Sequence, residues 1–460
     1  MSLFVREQPV TGITAPRPLA AWLGGSPYAG YTYGYPHKTA YRPLPVAQPL
    51  DRLWAAPDEA LSLYFHVPFC EYRCGFCNLF TQAQPAAEWV TQYLKVLRSE
   101  AQTVQASLGS SRFARLAFGG GTPTFLSQQE LESLFSIALD VMGANPAVIP
   151  TSMEASPATL DPAKLALIRD MGVERLSLGV QTLNDAESSG LGRPQRVDQV
   201  HRALEMIRAA GLPVLNVDLI YGGEGQTVAS WLESIRTVLR YDPEEFYLYP
   251  LYVRPLTGLG RREHDWDDQR LVAYRAGRDF LLERGYDQVS MRMFSRRTAG
   301  PEQERQPPAP AYCCQRDGMI GLGCGARSYT PTLHYSTEYA VGRSGVQSIL
   351  ADYLKRSPDQ FAAASYGIVL NEDEQRRRFV LLSLLQSSGL SLDDYSRQFQ
   401  SNLWYDLPEL AELLELDLAA FDTEARQLRL TAAGLERSDT IGPWLYSEQV
   451  RHLMETAACR

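Results

Sequence analysis

The sequence predicts an α/β protein: a partial (β/α)6 TIM-like barrel with an N-terminal arm and a winged-helix-like α+β C-terminal domain. Three observations lead there. From Leu61 onward, short apolar runs alternate with longer amphipathic stretches, the period of repeated βα units in a parallel sheet. The chain before that point is crowded with Pro, Gly and Tyr. Roughly the last hundred residues exchange alternation for clustered helix patterns and a short ribbon.

The arm, residues 1–55, includes SPYAGYTYGYPHKTAYRP. Its breakers exclude a continuous helix, and its tyrosines supply apolar area that docks on a body, so they are expected to be packing residues. Residues 56–255 form the barrel. Strands are expected at 61–67, 115–119, 149–154, 175–180, 213–220 and 245–252, with helices at 87–107, 127–142, 161–171, 195–210 and 227–240. Six units fall short of the eight that close a full barrel, and ligand chemistry in such sheets collects at the C-terminal strand ends.

Residues 256–366 extend the barrel on the substrate side. They contain a helical pattern, the exposed Pro-rich loop RRTAGPEQERQPPAP, and GMIGLGCGARSYT, whose glycines favour a strand and tight turn. Residues 367–460 carry helix patterns at 372–386, 391–400 and 407–416, then the ribbon-like RQLRLTAAGLERSD. A winged-helix-like fold does not by itself make DNA the target.

Composition narrows the function. At 460 residues the chain exceeds a single core, and its 45% hydrophobic and 21% charged residues suit a soluble globular protein. No apolar stretch of about 18 residues and no basic-then-apolar leader pattern appear, so a cytoplasmic, non-membrane protein is expected; a monomer is the expected state. A net charge of -9 disfavours nucleic acid as partner. Seven cysteines, three in one short motif, read as reduced thiols rather than a disulfide framework, with Cys459 a bystander.

That motif is Cys70, Cys74 and Cys77, directly behind the apolar run Leu61–Val67. Three thiolates at these spacings suit three irons of a cuboidal 4Fe-4S cluster, leaving the fourth iron open, since most clusters take four cysteines. The competing reading is half a zinc site, which wants a fourth ligand. His66 is the nearest candidate, although a strand histidine is equally a packed or hydrogen-bonded one.

Further polar residues follow other strands. FGGGTPT carries Gly120, Gly121 and Thr122, where missing side chains admit a ligand to the backbone, or simply make a tight turn. Glu154 ends a strand and suits an ammonium or a ribose hydroxyl. Gln181 follows RLSLGV, and Arg193 offers a planar fork for a carboxylate. Asp218 interrupts an apolar run, a costly placement without a partner.

Together, SLYFHVPFCEYRCGFC, FGGGTPT, MEASP, RLSLGVQTL, Arg193, VDLIYG and GLGCGARSY resemble the radical S-adenosylmethionine (SAM) superfamily. Within it, over about residues 30–440, the chain is similar to the oxygen-independent coproporphyrinogen III oxidase family. The resemblance implies a barrel of radical SAM type with Cys70, Cys74 and Cys77 as cluster ligands. It implies that SAM chelates the open iron and is reduced, by an electron from a flavodoxin or ferredoxin, to a 5'-deoxyadenosyl radical. Tyr64, Phe76, Gly120, Gly121, Thr122, Glu154, Gln181, Arg193, Asp218 and Val253 would surround SAM. Arg327 would stand near a second SAM, should two bind.

Departures from the family pattern qualify the activity. Leu79 replaces a further cysteine of the oxidase, Glu224 in GGEGQT replaces a turn proline, and Arg327 replaces an apolar residue or a histidine. Cys313 and Cys314 are new beside Tyr312, Gln315, Arg316 and Asp317, and are expected to be small packed residues. The expectation is radical modification of a small molecule or peptide in a divergent branch, with methyl transfer from a second SAM as one form. Coproporphyrinogen III decarboxylation and non-catalytic haem binding or trafficking are the alternatives; the haem-binding histidine motif of the chaperone relatives is not found here. Arg254, Arg292, Arg316 and Arg327 suit carboxylates or phosphates, unless they lie on exposed loops.

Overall fold

The computed structural model describes residues 17–55, 60–108, 112–254, 256–261, 269–297 and 314–457. The arm supplies β1 (Arg42–Pro49), and the barrel opens with β2 (Leu61–Val67). The loop behind β2 folds back on itself through the short parallel pair β3 (Phe69–Cys70) and β4 (Gln82–Ala83). Then come β5 (Phe113–Gly120), β6 (Thr151–Ala155), β7 (Arg175–Gln181), β8 (Val214–Tyr221) and β9 (Glu245–Pro250). The chain continues through β10 (Tyr286–Gln288), β11 (Met293–Arg296), β12 (Met319–Leu322), β13 (Arg327–Tyr329), β14 (Leu333–Ser336) and β15 (Ala363–Val369).

One sheet of 13 strands results, in the order β1-β15-β14-β13-β12-β2-β5-β6-β7-β8-β9-β11-β10. β2, β5, β6, β7, β8 and β9 run parallel, the six expected βα strands. The sheet stays open, as a partial barrel requires. GMIGLGCGARSYT forms the expected strand and turn: β12 adds parallel to β2, and β13 returns antiparallel. The last barrel strand stops at Pro250 rather than residue 252, where proline withholds a ladder donor.

The outward face of the parallel strands packs on helices. Leu63, Phe65, Val67, Leu116, Phe118, Leu176, Leu178, Val217 and Leu219 are buried there. They meet Tyr93, Leu97 and Ala101 of the helix Ala87–Leu108 and Trp231 of the helix Val228–Leu239 within one continuous core. A second core gathers Phe379, Leu384, Tyr395, Leu428 and Ile441 from the C-terminal domain. That domain has helices at Glu372–Leu384 and Leu392–Phe399, and a small sheet containing β17 (Ala419–Asp422) once β16 (Leu390–Ser391) is counted; β18 (Gln427–Leu430) lies between them, the winged-helix pattern. The helix expected at 407–416 is a single turn at Pro408–Leu410 followed by Ala411–Glu415, because Pro408 sets the start of a new turn.

The arm joins both bodies. Leu19, Tyr35 and Tyr41 lie in the C-terminal core, whereas Tyr28 lies in the barrel core, so docking spans the seam between them. At that seam Arg292 is paired with Asp439, their side chains 6% and 1% exposed. Tyr252 completes the contact by donating to the same carboxylate and accepting from Arg292 at 2.6 Å. Arg292 was expected to be available to an anionic ligand; it is committed to Asp439 and stacks on Tyr31 at 3.8 Å.

A buried pair broken on one side leaves an uncompensated charge. Asp439→Ala is therefore expected to lower the unfolding free energy by about 3–5 kcal/mol in urea titration. The double replacement Arg292→Met with Asp439→Leu should recover most of that loss. An unchanged midpoint for Asp439→Ala would remove this pair from the account of the seam.

Candidate functional site

Strand geometry turns alternate residues inward, and here the inward set is polar: Tyr64, Glu154, Arg175, Ser177, Asp218 and Glu245. Parallel sheets are usually apolar on both faces. The exception here has a direct cause, because the inner face borders a cavity of about 660 Å³ rather than a packed core.

The cysteine loop enters at the C-terminal end of β2. Cys77 donates its backbone N–H to Cys74 at 3.1 Å, closing a tight turn. Gly75 donates to Leu191 at 3.0 Å and accepts from Leu259 at 2.8 Å, which clamps the loop from two sides. Phe76 packs with Val253, Leu191, Ile220, Leu251 and Leu259 in a small apolar cluster. Cys70 Sγ accepts from Thr81 at 3.1 Å and lies 3.4 Å from the Thr122 hydroxyl. Cys74 Sγ accepts from Arg193 Nη1 at 3.2 Å. Burial, together with the neighbouring Cys74, pushes the Cys77 thiol up to about 12.

Each glycine of the Gly119–Gly121 turn makes room for a different neighbour. A Cβ on Gly119 would lie 3.0 Å from the Glu154 carboxylate, and one on Gly120, whose φ is +118°, 2.8 Å from the His66 ring. A Cβ on Gly121 would meet the Phe69 carbonyl oxygen at 2.6 Å. The turn is also bonded to the cysteine loop, with Gly121 donating to Val67 and Thr122 to Phe69, both at 2.8 Å. The glycines thus serve packing between the two motifs, beyond the ligand approach expected of them.

His66 is hydrogen-bonded rather than poised as a metal ligand. Its Nε2 donates to the Phe80 carbonyl at 3.0 Å and its Nδ1 accepts from Tyr64 at 3.1 Å. Burial lowers it to about 4, so the ring is neutral. Among the described residues, no three His, Cys, Asp or Glu side chains are gathered for a single metal ion.

Two inward carboxyls are held above their usual range. Glu154 accepts from the Gly120 N–H at 3.0 Å and opens onto the cavity while lying deep in the barrel; burial raises it to about 7. Asp218 has the partners its position demands. It accepts from Asn216 at 2.7 Å and from Ser177 at 3.4 Å, and burial raises it to about 6. Gln181 ends β7 at φ +70°, the left-handed region, beside a bulge in the β7–β8 register that re-aims its side chain.

Arg193 departs from its expected free fork. Its donors go to Gln195 at 2.8 Å, Gly179 O at 2.7 Å, Ser156 at 3.3 Å and Cys74, with Tyr72 against its face. Tyr64, Gly120, Glu154 and Arg327 all border the cavity. Gly121, Thr122, Phe76, Gln181, Arg193, Asp218 and Val253 group around the cysteine loop and strand ends beside it. Leu79, 45% exposed, lies on the cavity wall with Cys314 and Gln315, whereas Glu224 lines a separate surface cleft beside Arg270. Arg254 stacks on Tyr252. Tyr312 and Cys313 lie outside the described residues.

Sequence reasoning missed several wall residues. Arg175 and Glu245, paired at 2.6 Å, occupy the inward phase of their strands, and a period-2 count of polar positions would have found them. Tyr33 and Lys38 of the arm also line the cavity. Nothing in the arm's composition distinguishes them from the packing residues around them.

The raised Glu154 carboxyl has a defined pH signature. Its folded value of about 7 lies above the ordinary carboxylate value, so the native protein binds this proton more tightly than the unfolded chain. The resulting destabilisation is absent well below the ordinary value, grows as pH rises toward 7, and is complete above it. Glu154→Gln should therefore be more stable than the ligand-free wild type at pH 8, and the gain should vanish at acid pH. Parallel stability profiles for the two proteins would contradict the assignment.

Residues 64–238 match the family model of the Radical SAM superfamily. The oxygen-independent coproporphyrinogen III oxidase of Paracoccus denitrificans is 26% identical over 423 residues, 87% of this chain and 90% of that protein. The heme chaperone HemW of Bacillus subtilis is 27% identical over 355 residues, 74% and 88% of the two chains. Among solved structures, coproporphyrinogen III oxidase from Escherichia coli superposes with a TM-score of 0.76 at 24% identity, covering 90% of this chain and 96% of that one, and shares the fold. No helix among the described residues is long and apolar enough to cross a membrane. The chain carries a radical SAM domain, in a family that implies a 4Fe-4S cluster and SAM, and its homologues include both oxygen-independent coproporphyrinogen III oxidases and heme chaperones.

Proposed function

We propose that this protein is a radical SAM enzyme that holds its cluster on Cys70, Cys74 and Cys77 and modifies a small-molecule or peptide substrate in the arm-covered cavity. The observation that carries the reading is the bonding of the three-cysteine loop to the Gly119–Thr122 turn, which gathers soft sulfur donors beside the polar strand ends. Sulfur-only donors suit an iron-sulfur cluster. The nearest imidazole, His66, has both nitrogens engaged, so it does not compete for the fourth iron.

Bound together, the cluster and SAM supply hydrogen-atom abstraction from the substrate. The chain's own groups do the rest. Arg193, fixed by Gln195, Ser156 and Gly179, donates to Cys74 Sγ and orients it. Glu154 sits where an ammonium group would stabilise its charged form, and Asp218, oriented by Asn216 and Ser177, accepts from a polar ligand. Phe76 and Val253 supply a dry wall. The arm, through Tyr33 and Lys38, covers the cavity and limits water there. A flavodoxin- or ferredoxin-type protein is the proposed electron donor.

Leu79 and Arg327 weigh against coproporphyrinogen III decarboxylation, which is the alternative reaction; methyl transfer with a second SAM is one form the modification takes. The test is anaerobic reconstitution with iron and sulfide, followed by SAM and dithionite. The wild type should release 5'-deoxyadenosine, and Cys77→Ala should lose both the cluster's visible absorbance and that product. A methylated product with S-adenosylhomocysteine identifies transfer, and carbon dioxide identifies decarboxylation. Tight haem binding without 5'-deoxyadenosine would overturn the enzyme reading.

Gly121→Ala offers a second check, because its methyl would collide with backbone of the cysteine loop. Iron per chain after reconstitution should fall below the wild-type value. Full loading would show that the loop tolerates displacement.

A further inference from the structure

We infer that Lys38 of the arm and Arg327 of β13 form a carboxylate-binding subsite in the cavity, distinct from the SAM-facing carboxyls Glu154 and Asp218. The inference rests on the radical SAM reading and assigns a chemical class to what the cavity admits.

Both cations border the same cavity. Neither has a carboxylate within ion-pair distance among the described residues, although the protein pairs many of its other arginines, Arg175 and Arg292 included. Among the described residues their hydrogen-bond partners are tyrosine hydroxyls. Lys38 Nζ donates to Tyr339 at 2.5 Å and sits over its ring at 3.8 Å, while Arg327 Nη1 donates to Tyr33 at 2.9 Å, with that ring 4.9 Å away. Among the described residues, each therefore keeps donors directed at no carboxylate. The two charges also repel, and burial with Arg327 nearby holds the Lys38 amine well below its usual value.

Enclosed, mutually repelling cations are costly unless an anion compensates them. The cavity's own carboxylates do not serve them: among the described residues neither Glu174 nor Glu338, which also line it, forms an ion pair with Lys38 or Arg327. Glu154 stands on β6, four strands away in the sheet, and Glu245 is committed to Arg175. The geometry around the cations is built rather than loose. His37 accepts from the Thr39 backbone and packs edge-on against Tyr33 at 5.6 Å, buttressing the phenol that Arg327 uses. Tyr339 donates to the Asn78 carbonyl, tying Lys38 to the end of the cysteine loop. An arginine fork beside a lysine point charge suits a carboxylate.

The carboxylate could belong to the substrate or to the methionine end of a second SAM, and the test separates them. Reconstituted full-length protein is titrated with coproporphyrin III and with its tetramethyl ester, followed by fluorescence, and SAM stoichiometry is measured by equilibrium dialysis. If the substrate supplies the group, the wild type should prefer the acid to the ester by about tenfold or more, and K38M/R327M should bind the two alike. If SAM supplies it, the wild type should bind two equivalents and K38M/R327M one.

The charge-preserving K38R/R327K variant should retain the wild-type pattern, which separates lost charge from lost fold. A wild type with one SAM equivalent and no preference for acid over ester overturns the proposal, as does a folded K38M/R327M that behaves like wild type. Failure of the radical SAM reading appears separately, as protein that assembles no cluster while its acid-over-ester preference can still be read.

Discussion

A β-carbon is missing at three successive positions, 119, 120 and 121, and the surrounding site occupies the space. Glu154, His66 and the backbone of the cysteine loop each come within 3.0 Å of where such an atom would sit. The cysteine loop can therefore lie flat on the β5 turn, bonded through Gly121 and Thr122, with Cys70 beside the Thr122 hydroxyl. Everything proposed for the site depends on this contact. It brings sulfur donors, a neutral histidine and a carboxyl with raised affinity for protons to the C-terminal ends of neighbouring central strands.

The open sheet explains why such a site can be polar. A closed barrel of ordinary size fills its interior with side chains. Here five parallel strands lie on one side of β2, with β12 added on the other, and the space between is covered by the arm and by β13 and β14. Charged groups can then sit inside if each finds a partner. Arg175 finds Glu245, Arg292 finds Asp439, and Asp218 finds Asn216 and Ser177. Among the described residues Lys38 and Arg327 hydrogen-bond to phenols and pair with no carboxylate, which makes them the part of the wall that asks for a ligand.

Much of this was legible in the chain because it is local. The cysteine spacing, the glycine run, Glu154 at a strand end and the alternation of apolar runs are all readable within short windows. What was not legible depends on long-range meetings. Tyr33 reaches Arg327 across 294 positions and Lys38 reaches Tyr339 across 301, with no periodicity in the arm to announce either. Arg193 was visible as an arginine, but its saturation by Gln195, Ser156, Gly179 and Cys74 is a property of the folded turn. The seam arginine, Arg292, shows the converse: its charge suggested a ligand, and a buried Asp439 accounts for it.

The most direct test of the account is whether SAM ligates an iron that the protein leaves open. Pulsed electron paramagnetic resonance of the reduced, reconstituted protein with SAM labelled at its amino nitrogen and carboxylate carbon reads that bond as hyperfine coupling. The account predicts coupling to both labels, in wild type and in the K38M/R327M variant alike. A cluster of the same integrity with no coupling to either label would contradict it.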